Sequence, residues 1–235
     1  WSSGVAIALG LAAGCATGGG AKGAAVSDAD YGRLQPGQTG PVEQARQFLN
    51  GARDEQARAR LGLEQAQHEQ ALAKADADVA QAARSRADAQ QEAAADSRDP
   101  ALLQEGQSLR EQAGALQRAA DAHAGWAKKA TSARQSAGEA ADKQVALGEA
   151  RVELAKLQAL QQADFPAASK YDASSFQQRV DAAQKDFDGA SQQARDEDAA
   201  ASAAEHAYRD ARAQAEGQGP PGSPQGPPTT GTGAG

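Results

Sequence analysis

The sequence predicts an all-α protein whose body is an elongated antiparallel three-helix coiled coil. Alanines recur every seven residues from Ala45 to Ala94, and a second row that includes Val42, Leu49 and Leu63 runs beside them. Rows with this period are typical of a helix that packs along another helix. Helix-favouring residues are abundant, aromatic residues make up 4% of the chain and methionine is absent. Because alanine buries little surface, the seams between the helices should be thin.

Full disorder of the isolated chain is the alternative to this fold. Large aliphatic residues are scarce, which is typical of disordered sequences. The net charge is only −7, however, and charges of both signs are interspersed along the chain. This pattern favours long helices with small-residue seams over a disordered chain.

The first long helix is predicted over residues 41–96. Pro41 suits the first position of a helix, and Glu43 lies near the positive end of the helix dipole. The segment from Ser97 to Pro100 predicts a turn in which Asp99 caps the next helix and Pro100 opens it.

The second helix is predicted over residues 100–164. Two rows of apolar or small residues run along it. The first row comprises Leu102, Leu109, Leu116, His123, Ala130 and Ala137, and the second comprises Ala119, Trp126, Ala133, Ala140, Leu147 and Leu154. The pair Phe165-Pro166 ends this helix. The short connection that follows predicts an antiparallel neighbour.

The third helix is predicted over residues 172–216. Asp172 is placed as its cap, with Tyr171 and Phe176 as a hydrophobic staple around the first turn. One face carries the large apolar residues of this segment, which are Phe176, Val180, Phe187 and Tyr208. We expect this aromatic row to supply most of the energy that docks the third helix, with Phe187 as its central contact.

Both ends of the chain are predicted to lie outside the coiled coil. Residues 15–40 contain Gly18-Gly19-Gly20 and small polar residues, which predict a flexible linker. Residues 217–235 are rich in proline and glycine without the strict period of collagen, which predicts a disordered tail.

An apolar run from Val5 to Ala13 leads to the only cysteine in the chain, in the sequence Leu11-Ala12-Ala13-Gly14-Cys15. This stretch resembles the lipobox of bacterial lipoproteins, in which the cysteine sulfur receives a diacylglycerol and the preceding signal peptide is removed. The resemblance implies that residues 1–14 are a signal peptide and that Cys15 is the site of lipid attachment. Because the sequence does not begin with methionine, we expect the charged start of the signal peptide to be missing.

The match to the lipobox has one departure, because the leucine lies four residues before the cysteine while alanines occupy the next two places. A buried free cysteine in an apolar segment is the alternative interpretation. Ala16 follows the cysteine where an aspartate would signal inner-membrane retention in enteric bacteria, so the resemblance implies outer-membrane sorting.

No residue pattern predicts an enzyme, a metal site or a cofactor. The acidic balance argues against nucleic acid, which is bound by concentrated basic surfaces. His68, His123 and His206 are far apart and none belongs to a metal-binding motif. The carboxylates at Asp196 to Asp198 are expected to lie on a solvated helix face, where nothing perturbs their protonation for catalysis.

The leading hypothesis is a non-enzymatic outer-membrane lipoprotein whose helical rod faces the periplasm as a spacer or interaction scaffold. It resembles the murein lipoprotein family in having a lipobox followed by heptads. Residues 145–208 also resemble Ala-rich helical modules of bacterial envelope lipoproteins, mostly in composition. The alternative is a helical adaptor or chaperone-like binding module. Expected partners are the membrane through lipid on Cys15, other envelope proteins and further copies of the chain.

Overall fold

The computed structural model describes residues 25–217, and within this range the protein is all-α. A short helix, α1 (Asp28–Tyr31), and a 3-10 turn at Pro36–Gln38 precede the three long helices. These are α2 (Gly40–Ser97), α3 (Pro100–Gln162) and α4 (Ala173–Gly217), with a second 3-10 turn at Pro166–Lys170. At about 1.5 Å per residue, they are roughly 87, 95 and 68 Å long. Each long helix begins and ends within two residues of its predicted bounds.

The first connection has the predicted capping chemistry. Arg98 adopts a left-handed conformation with φ of 56°, which ends α2. The Asp99 carboxylate accepts a hydrogen bond from the Ala101 amide at 2.8 Å, and Pro100 opens α3. The prediction of a cap at Asp99 is therefore confirmed.

The second connection also follows the sequence prediction. The Asp172 carboxylate accepts hydrogen bonds from the hydroxyl and the amide of Ser174, and these bonds hold the pKa of Asp172 below its ordinary value. The rings of Tyr171 and Phe176 pack edge to face with their centres 6.2 Å apart. The predicted cap and hydrophobic staple are both confirmed.

Helix α3 lies in the middle of the rod. Helices α2 and α4 each pack antiparallel along α3, and their backbones hardly approach each other. The protein therefore has an open arrangement around α3, with a groove between α2 and α4. We call the end near residues 25–42 and 160–176 the base, and the end at the α2–α3 turn the tip.

The seam between α2 and α3 consists mainly of small residues from both helices. On α2, six alanines of the predicted row are buried, while Ala45 and Ala59 are half-buried. On α3, buried small residues recur every seven positions, except at the exposed Arg134, in a row that the sequence pattern did not reveal: Gly106, Ala113, Ala120, Ala127, Ala141, Gly148 and Ala155. A Cβ at Gly148 would lie 3.1 Å from the Leu49 Cα atom, so glycine permits the close approach of these helices.

The aromatic row of α4 is only partly buried. Phe176 is 3% exposed, whereas Val180, Phe187 and Tyr208 are half-buried. Because α2 does not close over α4, Phe187 and Tyr208 line the groove instead of a three-sided core. The sequence pattern predicts Phe187 as the central contact that docks α4. In the structure, the most buried side chain of this row is Phe176 at the base.

Candidate functional site

The sequence-predicted site residue, Cys15, lies outside the described residues, as do the predicted signal peptide and residues 218–235. The structure does describe the chain from Ala25 onward. Residues 25–39, which we call the N-terminal strap, pack against the base of the rod. The boundary of the predicted flexible linker is therefore corrected, because residues 25–39 belong to the folded body.

The strap is held by apolar packing at the base. Val26 is 2% exposed and lies in a cluster with Leu157, Leu160 and Phe176. The Val26 amide donates a hydrogen bond to the Glu153 carboxylate at 2.8 Å, so the buried backbone is also satisfied. The strap thus fills the space where the start of α4 meets the end of α3, which a composition-based linker prediction misses.

Polar groups fasten the strap at a second set of contacts around Tyr171. Its hydroxyl accepts a hydrogen bond from the Ser27 amide at 3.0 Å and donates one to the Asp30 carboxylate at 3.1 Å. The same strap turn carries Asp28, whose carboxylate lies 3.2 Å from the Lys156 ammonium. These contacts join the strap to α3 and to the segment before α4.

Lys156 is the cation at the centre of this attachment. Its side chain is 11% exposed, and its ammonium donates to Glu153 at 2.8 Å and to Asp28 at 3.2 Å. Burial disfavours the charged ammonium, but the hydrogen bonds and charges of Glu153 and Asp28 outweigh burial and raise the pKa of Lys156 above its ordinary value. The ion pair therefore stabilises the docked strap at neutral pH.

A second cluster, which we call the histidine clasp, joins all three long helices halfway along the rod. His123 on α3 is 3% exposed, and its ring nitrogens lie 2.7 Å from the Asp76 carboxylate and 3.0 Å from the Glu69 carboxylate, both on α2. The His123 ring stacks on Tyr208 of α4, with ring centres 4.3 Å apart, and on Trp126 at 5.5 Å. Glu69, Asp76, His123, Trp126 and Tyr208 thus connect α2 to α4 across α3.

The groove between α2 and α4 contains two hollows of about 470 and 460 Å³. The hollow nearer the tip has a floor of Leu116, Ala119 and Ala120, with Val79 and Tyr208 on its walls. The hollow nearer the base lies between Ala59 on α2 and Phe187 on α4. Both hollows are open to solvent, and both are largely apolar.

The polar side chains of the body pair both between neighbouring helices and within single helices. Arg53 pairs with Glu149 at 3.7 Å, and Lys143 pairs with Asp186 at 3.6 Å. Of the three successive carboxylates in α4, Asp196 accepts from Gln192 and Asp198 pairs with Arg134. Within residues 25–217 there is no group of three or more candidate metal-binding side chains. None of the helices in this range carries an apolar stretch of the length that a membrane span requires.

No family model, curated protein or solved structure matches the chain. The functional interpretation therefore depends on the contacts of the structure itself. Neither the strap nor the clasp was predicted from the sequence. The signal for the strap was the spacing of Val26, Tyr31 and Leu34, which are large apolar residues in an otherwise small and polar segment.

Proposed function

We propose that the protein is a non-enzymatic lipoprotein of the outer membrane, anchored by lipid on Cys15, whose helical rod is a periplasmic spacer or interaction scaffold. The docking of the strap is the observation that supports this proposal most. The strap attaches the segment that follows Cys15 to one end of a rod about 90 Å long. An anchor placed there directs the opposite end away from the membrane.

The distance between the anchor and the rod is short. Residues 16–24 lie between Cys15 and the strap, and nine residues span at most about 30 Å when fully extended. The base therefore stays close to the bilayer, while the α2–α3 turn reaches roughly 87 Å farther along α2 when the rod stands upright. The ion pairs and small-residue seams between the helices serve to keep this rod straight.

Lipid attachment is tested by replacing the predicted acceptor. Metabolic labelling with a fatty-acid probe should mark the wild-type gene product and the control Ala16→Ser, whereas Cys15→Ser should be unlabelled and leave the membrane fraction. Separation of the two membranes should place the labelled protein in the outer one. Equal labelling of Cys15→Ser and wild type would exclude this anchor.

The orientation of the rod is tested on vesicles that contain a lipid-bound fluorescence quencher. In the lipidated protein, a fluorophore on Lys170→Cys reports the base and one on Asp96→Cys reports the tip. We expect quenching of the base label and little quenching of the tip label. Similar quenching of both labels would show a rod that lies on the membrane, and the spacer function would be refuted.

The groove between α2 and α4 supports the second candidate function, a helical adaptor or chaperone-like binding module. Its apolar hollows are of a size to accept the side chains of a client helix. The test is binding of a fluorescent Leu-rich amphipathic peptide. Ala194→Trp, which fills the hollow nearer the base, should abolish binding, while Ala203→Trp on the exposed side of α4 should retain it. Absence of binding to the wild type would rule this function out.

A further inference from the structure

One face of α2 exposes large apolar side chains outside the seam with α3. Leu61, Leu72 and Val79 are 59%, 56% and 60% exposed. Their spacings of eleven and seven residues correspond to nearly whole numbers of helical turns, so they project in one direction. Exposed Ala57 precedes Leu61 on the same face, and exposed Ala75 lies between Leu72 and Val79. Val79 also forms a wall of the hollow nearer the tip, so this surface, which we call the outer face of α2, adjoins the groove at that end.

Opposite charges flank the outer face at equal distances. Asp54 lies seven residues before Leu61, and Arg86 lies seven residues after Val79. Both side chains are exposed, and neither pairs with another residue in the described range 25–217. The face therefore runs from a carboxylate through three large apolar groups to a guanidinium.

We propose that a second copy of the chain packs on this face with the two α2 helices antiparallel. In a two-fold pair, Leu61 of one copy faces Val79 of the other, and the same register places Asp54 opposite Arg86. His68 then faces Leu72 near the two-fold axis. Each of these contacts occurs twice, because the interface of a two-fold dimer is the same patch on both copies.

Other arrangements lose this complementarity. A parallel pair places each Asp54 near the Asp54 of the other copy and each Arg86 near its equivalent, which is repulsive. An antiparallel pair shifted by one heptad places Val79 opposite Asp54 and leaves the carboxylate against an apolar side chain. The charges thus select the register in which the apolar residues also meet.

The size of the face indicates a concentration-dependent dimer. From Asp54 to Arg86, α2 extends over roughly 48 Å, and a contact about 10 Å wide would bury roughly 500 Å² on each copy. Stable interfaces bury about 800 Å² on each partner. The dimer should therefore dissociate on dilution, and its formation does not depend on the lipid anchor.

Sedimentation velocity of the full chain over a range of concentrations tests the dimer and its register. All proteins carry Cys15→Ser, so that oxidation of the thiol cannot link two copies. Asp54→Arg alone and Arg86→Asp alone should each weaken the dimer about tenfold, because two attractive pairs become repulsive. The protein with both substitutions should dimerise like the parent. A parent that remains monomeric at all concentrations, or charge variants that leave the association unchanged, would overturn the proposal.

Two further measurements separate this face from other surfaces. Leu72→Arg should abolish the dimer, whereas Leu103→Arg, at another exposed leucine, should not. Disulfide formation should occur between Gln65→Cys chains and Ala75→Cys chains when these are mixed, because both positions are exposed and lie opposite each other in this register, and not within either protein alone. Linkage of Ala75→Cys chains to each other would mean a parallel pair and would overturn the antiparallel register.

Discussion

Phe176 at the base should contribute far more to the docking of α4 than Phe187 in the middle of the helix. Phe176 is 3% exposed and contacts the strap and the end of α3, whereas Phe187 borders the open groove. An aromatic side chain buries about 150–250 Å², which corresponds to about 4–6 kcal/mol at 25 cal/mol per Å². Alanine retains part of this area, so Phe176→Ala should cost about 3–4 kcal/mol.

The same reasoning gives a smaller effect for Phe187→Ala, since a large part of that side chain gains no burial from folding. We expect a loss of about 1–2 kcal/mol, or roughly half the effect at Phe176. Urea unfolding followed by circular dichroism measures the two losses, and amide exchange locates them. Phe176→Ala should reduce protection in the strap and in the first turns of α4 together, while α2 and α3 stay protected. An equal or larger loss for Phe187→Ala would refute the assignment of the main docking contact to the base.

The remaining predictions concern the seam, a helix cap and the strap. Gly148→Ala should destabilise the protein by about 1–3 kcal/mol, because the new Cβ atom would press on the Leu49 backbone. Gly138→Ala should stabilise it by up to about 1 kcal/mol, since a Cβ atom there has no neighbour within 4 Å. Thermal melts of the two variants measure the difference. Asp99→Ala should cost about 1 kcal/mol in urea unfolding through loss of the α3 cap. The pKa of Lys156 is raised in the folded protein. The stability that the Lys156 ion pair contributes to folding is therefore complete below the ordinary lysine pKa, and it is lost as the pH rises through the higher pKa of the folded state. Proteolysis of the strap should accelerate in that alkaline range, and Lys156→Arg should delay this acceleration to higher pH.

Local patterns made the helices and their turns predictable from the sequence. The caps at Asp99 and Asp172 use side chains that act on amides two residues away, so no distant contact is needed to identify them. The alanine row of α2 was also visible because its period is strict. The corresponding row on α3 was missed because two of its members, Gly106 and Gly148, are glycines, and glycine has a low helix propensity. In the structure these two glycines permit close packing of α2 on α3.

The contacts between distant parts of the chain could not be predicted in the same way. The strap depends on Glu153 and Lys156, which are more than 120 residues from their partners Val26 and Asp28. The clasp depends on the axial register of α3 against α4, which brings His123 level with Tyr208. The periodicity of a single sequence does not determine this register. His123 was expected to pack on an apolar row, and its ring is indeed buried there, but its two nitrogens reach the carboxylates of Asp76 and Glu69, which remain partly exposed at the edge of α2.

The difference in length between α4 and its neighbours has a mechanical consequence. The last buried residue of α4, Ala215, packs on Ala115 and Ala119, so in the described structure the final portion of the rod towards the tip is a pair of helices rather than three. Resistance to bending rises steeply with the cross-section of a beam, and this rod therefore tapers from a stiff root to a compliant end. A sideways force at the α2–α3 turn would bend the two-helix portion. The three-helix portion would keep its angle to the attachment at the base.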